Sequence, residues 1–400
     1  MTRSDPDSPG SAAAGIDYVE RAQKLAPQIE VWADQAEADR RLPEPLLAAL
    51  FDAGLFRLLL PRSLQGAELD PVTFVHVMEE VAKADASTAW CIGQTAGCSM
   101  IAAYLRPDVA AEIFARRPRA LLAWGPGPDA KAVAVEGGYQ VTGTWSFASG
   151  CRHATWLGGH CTVYEADGRP RRRADGAPAA RTMLFPVESA RLIDVWQVGG
   201  LKATGTDAFT VSDLFVPHER SAVRDDPTER LHRGPLYCFP IGCLYASGFA
   251  AVALGIARRM LDALIELARD KTPRGFKSTL RESAVIQSQV AQAEAQLGAA
   301  RIFLVRSLED IWRAVEPTGA LTLEQRVRIR LASTYAIHQA KEVADVAHHA
   351  AGATSIFTAS PFDRRFRDIH AVTQQMQGRQ AHFETVGQFL LGLDPDTTWL

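Results

Sequence analysis

No Cys-x-x-Cys pair occurs in the 400 residues, and the six cysteines (Cys91, Cys98, Cys151, Cys161, Cys238 and Cys243) are scattered. That spacing fits neither a zinc site nor a disulfide framework, so the expectation is a reduced, cytoplasmic protein with no bound metal. An excess of positive charge is also missing. Lys and Arg total 43 against 46 Asp and Glu, a formal charge of −3 that gives no electrostatic case for nucleic acid. The one dense basic run, Arg169 to Arg173, lies between Asp167-Gly168 and Asp175-Gly176 and reads as a solvated loop. Apolar runs are short. The longest, such as Gly248 to Gly255, fall far below the roughly 18–20 residues of a spanning helix, so no membrane is expected. Neither a Rossmann glycine fingerprint nor a P-loop is present to receive a nucleotide's phosphates. The first residues, Thr2 to Ser11, are polar and lack the apolar centre of a signal peptide, which predicts a disordered tail over 1–16.

What is present is an ordinary globular composition, 47% hydrophobic and 22% charged, in a chain longer than the about 250–300 residues that one core supports. Three regions follow. Helical signals fill 17–120: a proline-started run from Pro43 that stops at Gly54, an Asp70-Pro71 cap and first turn, and further helices over Ser87 to Tyr104 and Pro107 to Ala115. From about Leu121 the period changes to alternation. Ala132 to Val141 brackets a Gly137-Gly138 turn, and strand-like runs continue at Trp156 to Tyr164, Thr182 to Phe185 and Phe209 to Val216, so 121–228 reads as a small β domain. Long helices return in 229–400. Val290, Ala293, Leu297, Ala300, Leu304 and Leu308 repeat at the spacing of a bundle seam, and Tyr245 to Arg269, 322–350 and 380–392 supply more helices.

This order of helical domain, small β-barrel or sandwich, and C-terminal four-helix bundle resembles the acyl-CoA dehydrogenase superfamily. Local runs agree with it. Gly200 to Thr206 before Phe209 is similar to the family's Gly-x-x-x-Ser/Thr-x-Thr strand, and Phe215-Val216-Pro217 to its Val-Pro exit. Arg274-Gly275-Phe276 resembles its Arg-x-x-Phe segment with one spacer missing, and Pro361 to His370 holds the terminal Arg367-Asp368 marker. The segment after that marker discriminates between chemistries. Dehydrogenases need a carboxylate to take the proton alpha to a thioester carbonyl, and Ile369 to Gly378 contains none. Glu384 comes too late to substitute in register.

Gly143 to Ala154, with Trp145, Phe147, Ser149, Gly150 and His153, resembles instead the Trp-x-Phe-x-Ser-Gly-x-x-His-Ala segment of the oxygenase components of two-component flavin monooxygenases. Residues alone also allow Trp145 and Phe147 to be alternate members of one buried strand face before a Ser149-Gly150 turn. The resemblance implies FADH2 or FMNH2 delivered by a separate reductase, O2 as co-substrate, and transfer of one oxygen through a flavin C4a-hydroperoxide. The substrate is a small apolar aromatic, polycyclic or heteroatom-bearing molecule.

By the same resemblance Ser149 presents its hydroxyl near flavin N5, with Trp145, Phe147 and Thr206 around the ring. Arg274, Phe276, Ser278 and Gly352 hold the phosphate end, from a neighbouring subunit of a homotetramer. Trp90, Tyr237 and Tyr245 line the substrate pocket. Gln375 falls where a histidine assists the chemistry in relatives, and a carboxamide is no base near neutral pH. His382, seven residues on and about 10 Å along an unbroken helix, is the candidate to compensate. An acyl-CoA dehydrogenase and a non-catalytic flavin-binding paralogue are the alternatives.

Overall fold

A computed structural model describes residues 11–117, 119–398 and 400. Helix α1 (Ser11–Asp39) opens the described structure, and residues 1–10 of the expected tail lie outside those described. Helix α2 (Glu44–Asp52) follows Pro43 and stops before Gly54, whose φ of +74° suits glycine. The Asp70 carboxylate accepts from the Val72 and Thr73 amides to start α3 (Pro71–Ala84), and Asp85 caps α4 (Ala86–Ser99) by accepting from Thr88 N at 2.7 Å. The short α5 (Pro107–Phe114) completes this part.

Among the described residues eight strands form one continuous sheet: β1 (Leu122–Gly125), β2 (Lys131–Val135), β3 (Gly138–Ala148), β4 (Trp156–Tyr164), β5 (Ala180–Pro186), β6 (Arg191–Ile193), β7 (Asp207–Pro217) and β8 (Ser221–Ala222). Their order is β6-β7-β3-β2-β4-β5-β8, with β1 added parallel to β4. The β2–β3 hairpin turns at Gly137 (φ +76°), as the Gly-Gly pair predicts. The expected small β domain is one continuous sheet with its own core, in which Trp145, Phe185 and Phe209 are packed with Leu157 and Met183.

Helices α6 (Ile241–Asp270), α7 (Ala284–Thr318) and α8 (Leu323–Ala351) make the long members of the bundle, with α9 (Asp363–Gln374) and α10 (Ala381–Leu390) beside them. The α7 seam buries Ala293, Leu297, Ala300, Leu304 and Leu308. The expectation about apolar length needs correcting at α6. Its alanines, glycines and leucines run far enough with few charges to meet the length and composition of a spanning helix, yet 83% of that window is buried inside the protein. It is the central core helix, packed on α3, α4 and α8, so both helical regions share one hydrophobic core.

The terminal segment is also corrected. Arg367-Asp368 lies within α9, which ends at Gln374; Gln375 is extended (φ −79°, ψ 165°) and Met376 to Gly378 form a separate 3-10 turn. Gln375 Oε1 accepts from Gln377 N at 2.8 Å, so its side chain caps the new turn and competes with helix continuation. His382 is consequently not one face of the same helix. It begins α10 and points back with Nε2 2.8 Å from the Met376 carbonyl.

Candidate active site

Strand β3 carries a bulge between Trp145 and Ala148 in its pairing with β7, and Phe147 within it has φ +56°. The extra residue reverses the alternation. Trp145 is fully buried, donating Nε1–H to the His160 carbonyl at 3.0 Å and stacking on Phe209 at 5.1 Å. Phe147 is 65% exposed and meets Trp196 edge to face at 6.4 Å. The assignment of Trp145 to a ligand wall is thereby overturned: it is a core residue, and only Phe147 faces outward. A bulge leaves no mark in the hydrophobic pattern.

Just past the bulge, Ser149 is 5% exposed and meets side chains from two other elements. Its Oγ accepts from the Trp90 indole N–H at 3.1 Å, and Thr206 Oγ1 lies 2.8 Å away. Thr206 in turn lies 2.6 Å from Thr204 Oγ1, which donates to the Leu201 carbonyl at 2.7 Å. Trp90 stacks on Phe249 (3.8 Å, 9°), and Phe249 on Tyr245 (5.5 Å, 3°). Tyr245 donates to the Gln94 carbonyl at 3.2 Å. The Tyr245 ring leaves no room at Gly97 on α4, where a Cβ would meet it at 2.3 Å. Ser149, Thr206, Trp90 and Tyr245, which sequence alone placed in three separate regions, thus converge.

Three further residues, which the sequence presents only as members of family motifs, complete this junction. Leu201 takes a left-handed φ of +53°, its amide donates to Asp368 Oδ1 at 2.6 Å, and its carbonyl also receives Trp196 Nε1–H at 3.0 Å. Gly200 has no space for a Cβ, which would fall 2.1 Å from the Arg367 carbonyl. Burial first, then the Asp85 charge, pushes the Asp368 carboxyl up to about 7, against the lowering effect of the Leu201 amide. Arg152 pairs with buried Asp207 at 2.6 Å and with Asp194 at 3.2 Å. His153 ties the β domain to the connection between α1 and α2: its Nε2 accepts from Leu42 N at 3.1 Å, and burial lowers its pKa to about 4, so it is neutral.

Other predicted residues lie apart from this cluster within one chain. Tyr237 is buried, with its hydroxyl donating to the Leu59 carbonyl at 3.1 Å and its ring against His232. It anchors the approach to α6 on the N-terminal helices, which is the physical reason it is not a pocket residue. Arg274, Phe276 and Ser278 are exposed on the loop between α6 and α7. Gly352 (φ +57°) ends α8, where Lys271 Nζ donates to the Ala351 carbonyl and, at 2.7 Å, to Thr354 Oγ1. Gln375 Nε2 is buried without a partner among the described residues. His382 is held neutral by burial and the nearby Arg330 charge, and clamps the break between α9 and α10. His370 pairs with Asp345 at 3.0 Å.

A chain with helices before and after one continuous sheet, and a polar cluster where all three meet, defines a class that the comparisons identify. The acyl-CoA dehydrogenase N-terminal domain family matches residues 20–115 and the acyl-CoA dehydrogenase C-terminal domain family matches 247–379, together more than half of the chain. The protein belongs to the acyl-CoA dehydrogenase superfamily. The oxygenase component of p-hydroxyphenylacetate 3-hydroxylase from Acinetobacter baumannii is 28% identical, over 96% of this chain and 91% of that one. The oxygenase component of an FADH2-dependent resorcinol hydroxylase from Rhizobium sp. is 27% identical over 97% of each. The solved structure of XiaF from Streptomyces sp. in complex with FADH2 and glycerol superposes with a TM-score of 0.89 at 25% identity, covering 98% of each chain.

Proposed function

We propose that this protein is the oxygenase component of a two-component flavin-dependent monooxygenase, receiving FADH2 or FMNH2 from a separate reductase and oxygenating a small aromatic substrate. The observation that carries the reading is the Ser149 cluster: a buried hydroxyl next to an outward aromatic corner, Phe147 and Trp196, at the meeting point of sheet and bundle. Those residues fit a flavin, which presents a flat ring system and a polar ring edge. When bound, the reduced flavin supplies the electrons and activates dioxygen. The protein's part is to hold and shield. Ser149 and Thr206 meet the ring edge, Phe147 walls one face, and the Trp90–Phe249–Tyr245 stack keeps water from the apolar side. Gln375, which lies apart from this cluster within one chain, carries a carboxamide and is no base for deprotonating a phenol. The segment Ile369 to Gly378 has no carboxylate, which disfavours acyl-thioester dehydrogenation.

The phosphate end of the flavin and the assembly belong to the same reading. Arg274, Phe276, Ser278 and Gly352 serve the flavin's phosphate end from a neighbouring subunit, in a cytoplasmic homotetramer. Exposed Val285 and Ile302 on α7, with Ile356 and Phe357 nearby in sequence to Gly352, supply apolar surface for such packing.

Two results test this. Supplied with reduced flavin and 18O2, the protein should place one labelled oxygen in a member of a panel of phenols, indoles and fused-ring heterocycles; an acyl-CoA that instead bleaches bound oxidised flavin would contradict it. Phe147→Gly should raise or leave unchanged the melting temperature, because a positive φ costs a bulky residue of order 1–3 kcal/mol and glycine nothing. The same variant should bind reduced flavin at least tenfold more weakly in equilibrium titration. Unchanged affinity would remove Phe147 from the site.

A further inference from the structure

Helix α4 is covered almost everywhere. Of its 14 residues only Gln94 is not buried, so a single polar side chain stands uncovered on a helix that is otherwise core. Its amide nitrogen faces two acceptors, the Trp124 carbonyl on β1 at 3.4 Å and the Cys98 sulfur at 3.7 Å. A carbonyl oxygen can only accept, so the nitrogen of the carboxamide belongs at that end and Oε1 is the free one. Oε1 has no hydrogen-bond partner among the described residues. The surroundings are aromatic: Tyr245 donates to the Gln94 carbonyl at 3.2 Å and opens the row of rings that runs through Phe249 to Trp90. Trp90 precedes Gln94 by four residues, which places both on one face of α4 about 6 Å apart along its axis. Trp90 is also the residue that touches Ser149, so one or two fused rings lying along this row reach from the Ser149 cluster to Gln94. No base stands at that end. Burial pushes the Cys98 thiol up to about 12 and the Tyr245 hydroxyl well above its ordinary value, and it keeps His160, beside the Trp124 ring at 5.0 Å, neutral.

We infer that Gln94 is a specificity-determining residue whose Oε1 accepts a hydrogen bond from the substrate, so that the site takes neutral aromatic molecules carrying an N–H or O–H donor on the ring. A ligand without that donor strips water from the amide oxygen and returns nothing, which is how such a site rejects an analogue of equal size and shape. With no base at hand, the bound donor keeps its proton. The inference rests on the reduced-flavin reading and names the substrate class for it.

The test is anaerobic calorimetric titration of the full-length protein, charged with photoreduced FAD or FMN, with ligand pairs that differ in the donor and hardly in shape. Indole against benzofuran and 2-naphthol against 2-fluoronaphthalene serve. Wild type should bind the donor-bearing member of at least one pair about tenfold or more tightly than its partner. Gln94→Met keeps the length of the side chain and removes its oxygen, and should bring that pair within about twofold. Gln94→Glu keeps an acceptor and should keep the preference. A merely structural role would weaken both members of a pair together and leave their ratio alone. Equal binding of both members of each pair by wild type, a methionine variant with the wild-type ratio, or flavin-charged protein that binds none of the four ligands would overturn the inference and leave the flavin reading standing. Wild type that takes up neither reduced flavin would overturn both.

Discussion

Ser149→Ala is expected to cut the oxygenated product formed per reduced flavin consumed by ten- to a hundredfold. The alanine removes the acceptor of the Trp90 indole N–H and the hydroxyl partner of Thr206 in one step, in a place that is 5% exposed. Leaving a buried polar group without its partner costs about 1–3 kcal/mol, and 1.4 kcal/mol is a factor of ten. Part of that cost falls on the fold, so a modest fall in melting temperature accompanies it. The larger part falls on how tightly the ring edge is held while oxygen is activated, and is read as flavin consumed without product. Ser149→Thr restores a hydroxyl and should recover much of the coupling. Coupling that is equal in wild type and Ser149→Ala would show that the hydroxyl does not touch the reacting group.

The second large effect concerns Asp368, and its sign follows from proton linkage. The carboxyl is raised to about 7 in the fold, by burial and by Asp85, from an ordinary value near 3.9 in the unfolded chain. Between those two values the folded protein binds a proton that the unfolded chain has released, so stability falls as pH rises through that window and levels off above about pH 8. Roughly three pH units at 1.36 kcal/mol each amount to on the order of 4 kcal/mol. Other charges packed around this carboxyl, Asp85 from α4, Glu37 from α1 and Arg364 on α9, set the same window. Asp368→Asn keeps an oxygen for the Leu201 amide and mimics the protonated acid at every pH. Urea unfolding should therefore show the asparagine variant close to wild type near pH 4 and more stable by several kcal/mol at pH 8. A gap that stays constant from pH 4 to 8 would mean that Asp368 ionises like a surface carboxylate.

Much of the architecture could be read directly from local chemistry. Asp70-Pro71 and Gly137-Gly138 state their own conformations, and the α7 seam repeats without interruption, so caps, hairpin and bundle emerge from short-range pattern. The site was harder, because it is made of contacts across 57 to 167 positions of sequence. Ser149, Thr206, Trp90 and Tyr245 were each identifiable by a neighbouring motif, but nothing in the sequence joined them. Trp145 and Phe147 were assigned one face by alternation, and a single bulge separated them. Seven residues separate Gln375 from His382, a spacing that shares a face only on an unbroken helix. Instead the helix ends at Gln374, and the Gln375 side chain caps the next turn by accepting from the Gln377 amide. Asp368 was seen only as a marker, since its role depends on a glycine-permitted approach of β-domain backbone that sequence spacing does not encode.

The central claim is that this fold holds reduced flavin for reaction with oxygen and shields what forms. Stopped-flow mixing of the anaerobic protein and reduced FAD or FMN with oxygenated buffer tests it most directly. The account predicts an absorbance spectrum unlike that of either reduced or oxidised flavin, outlasting free-flavin reoxidation and shortened in Ser149→Ala. Reoxidation at the free-flavin rate, with no such spectrum for either flavin, would contradict it.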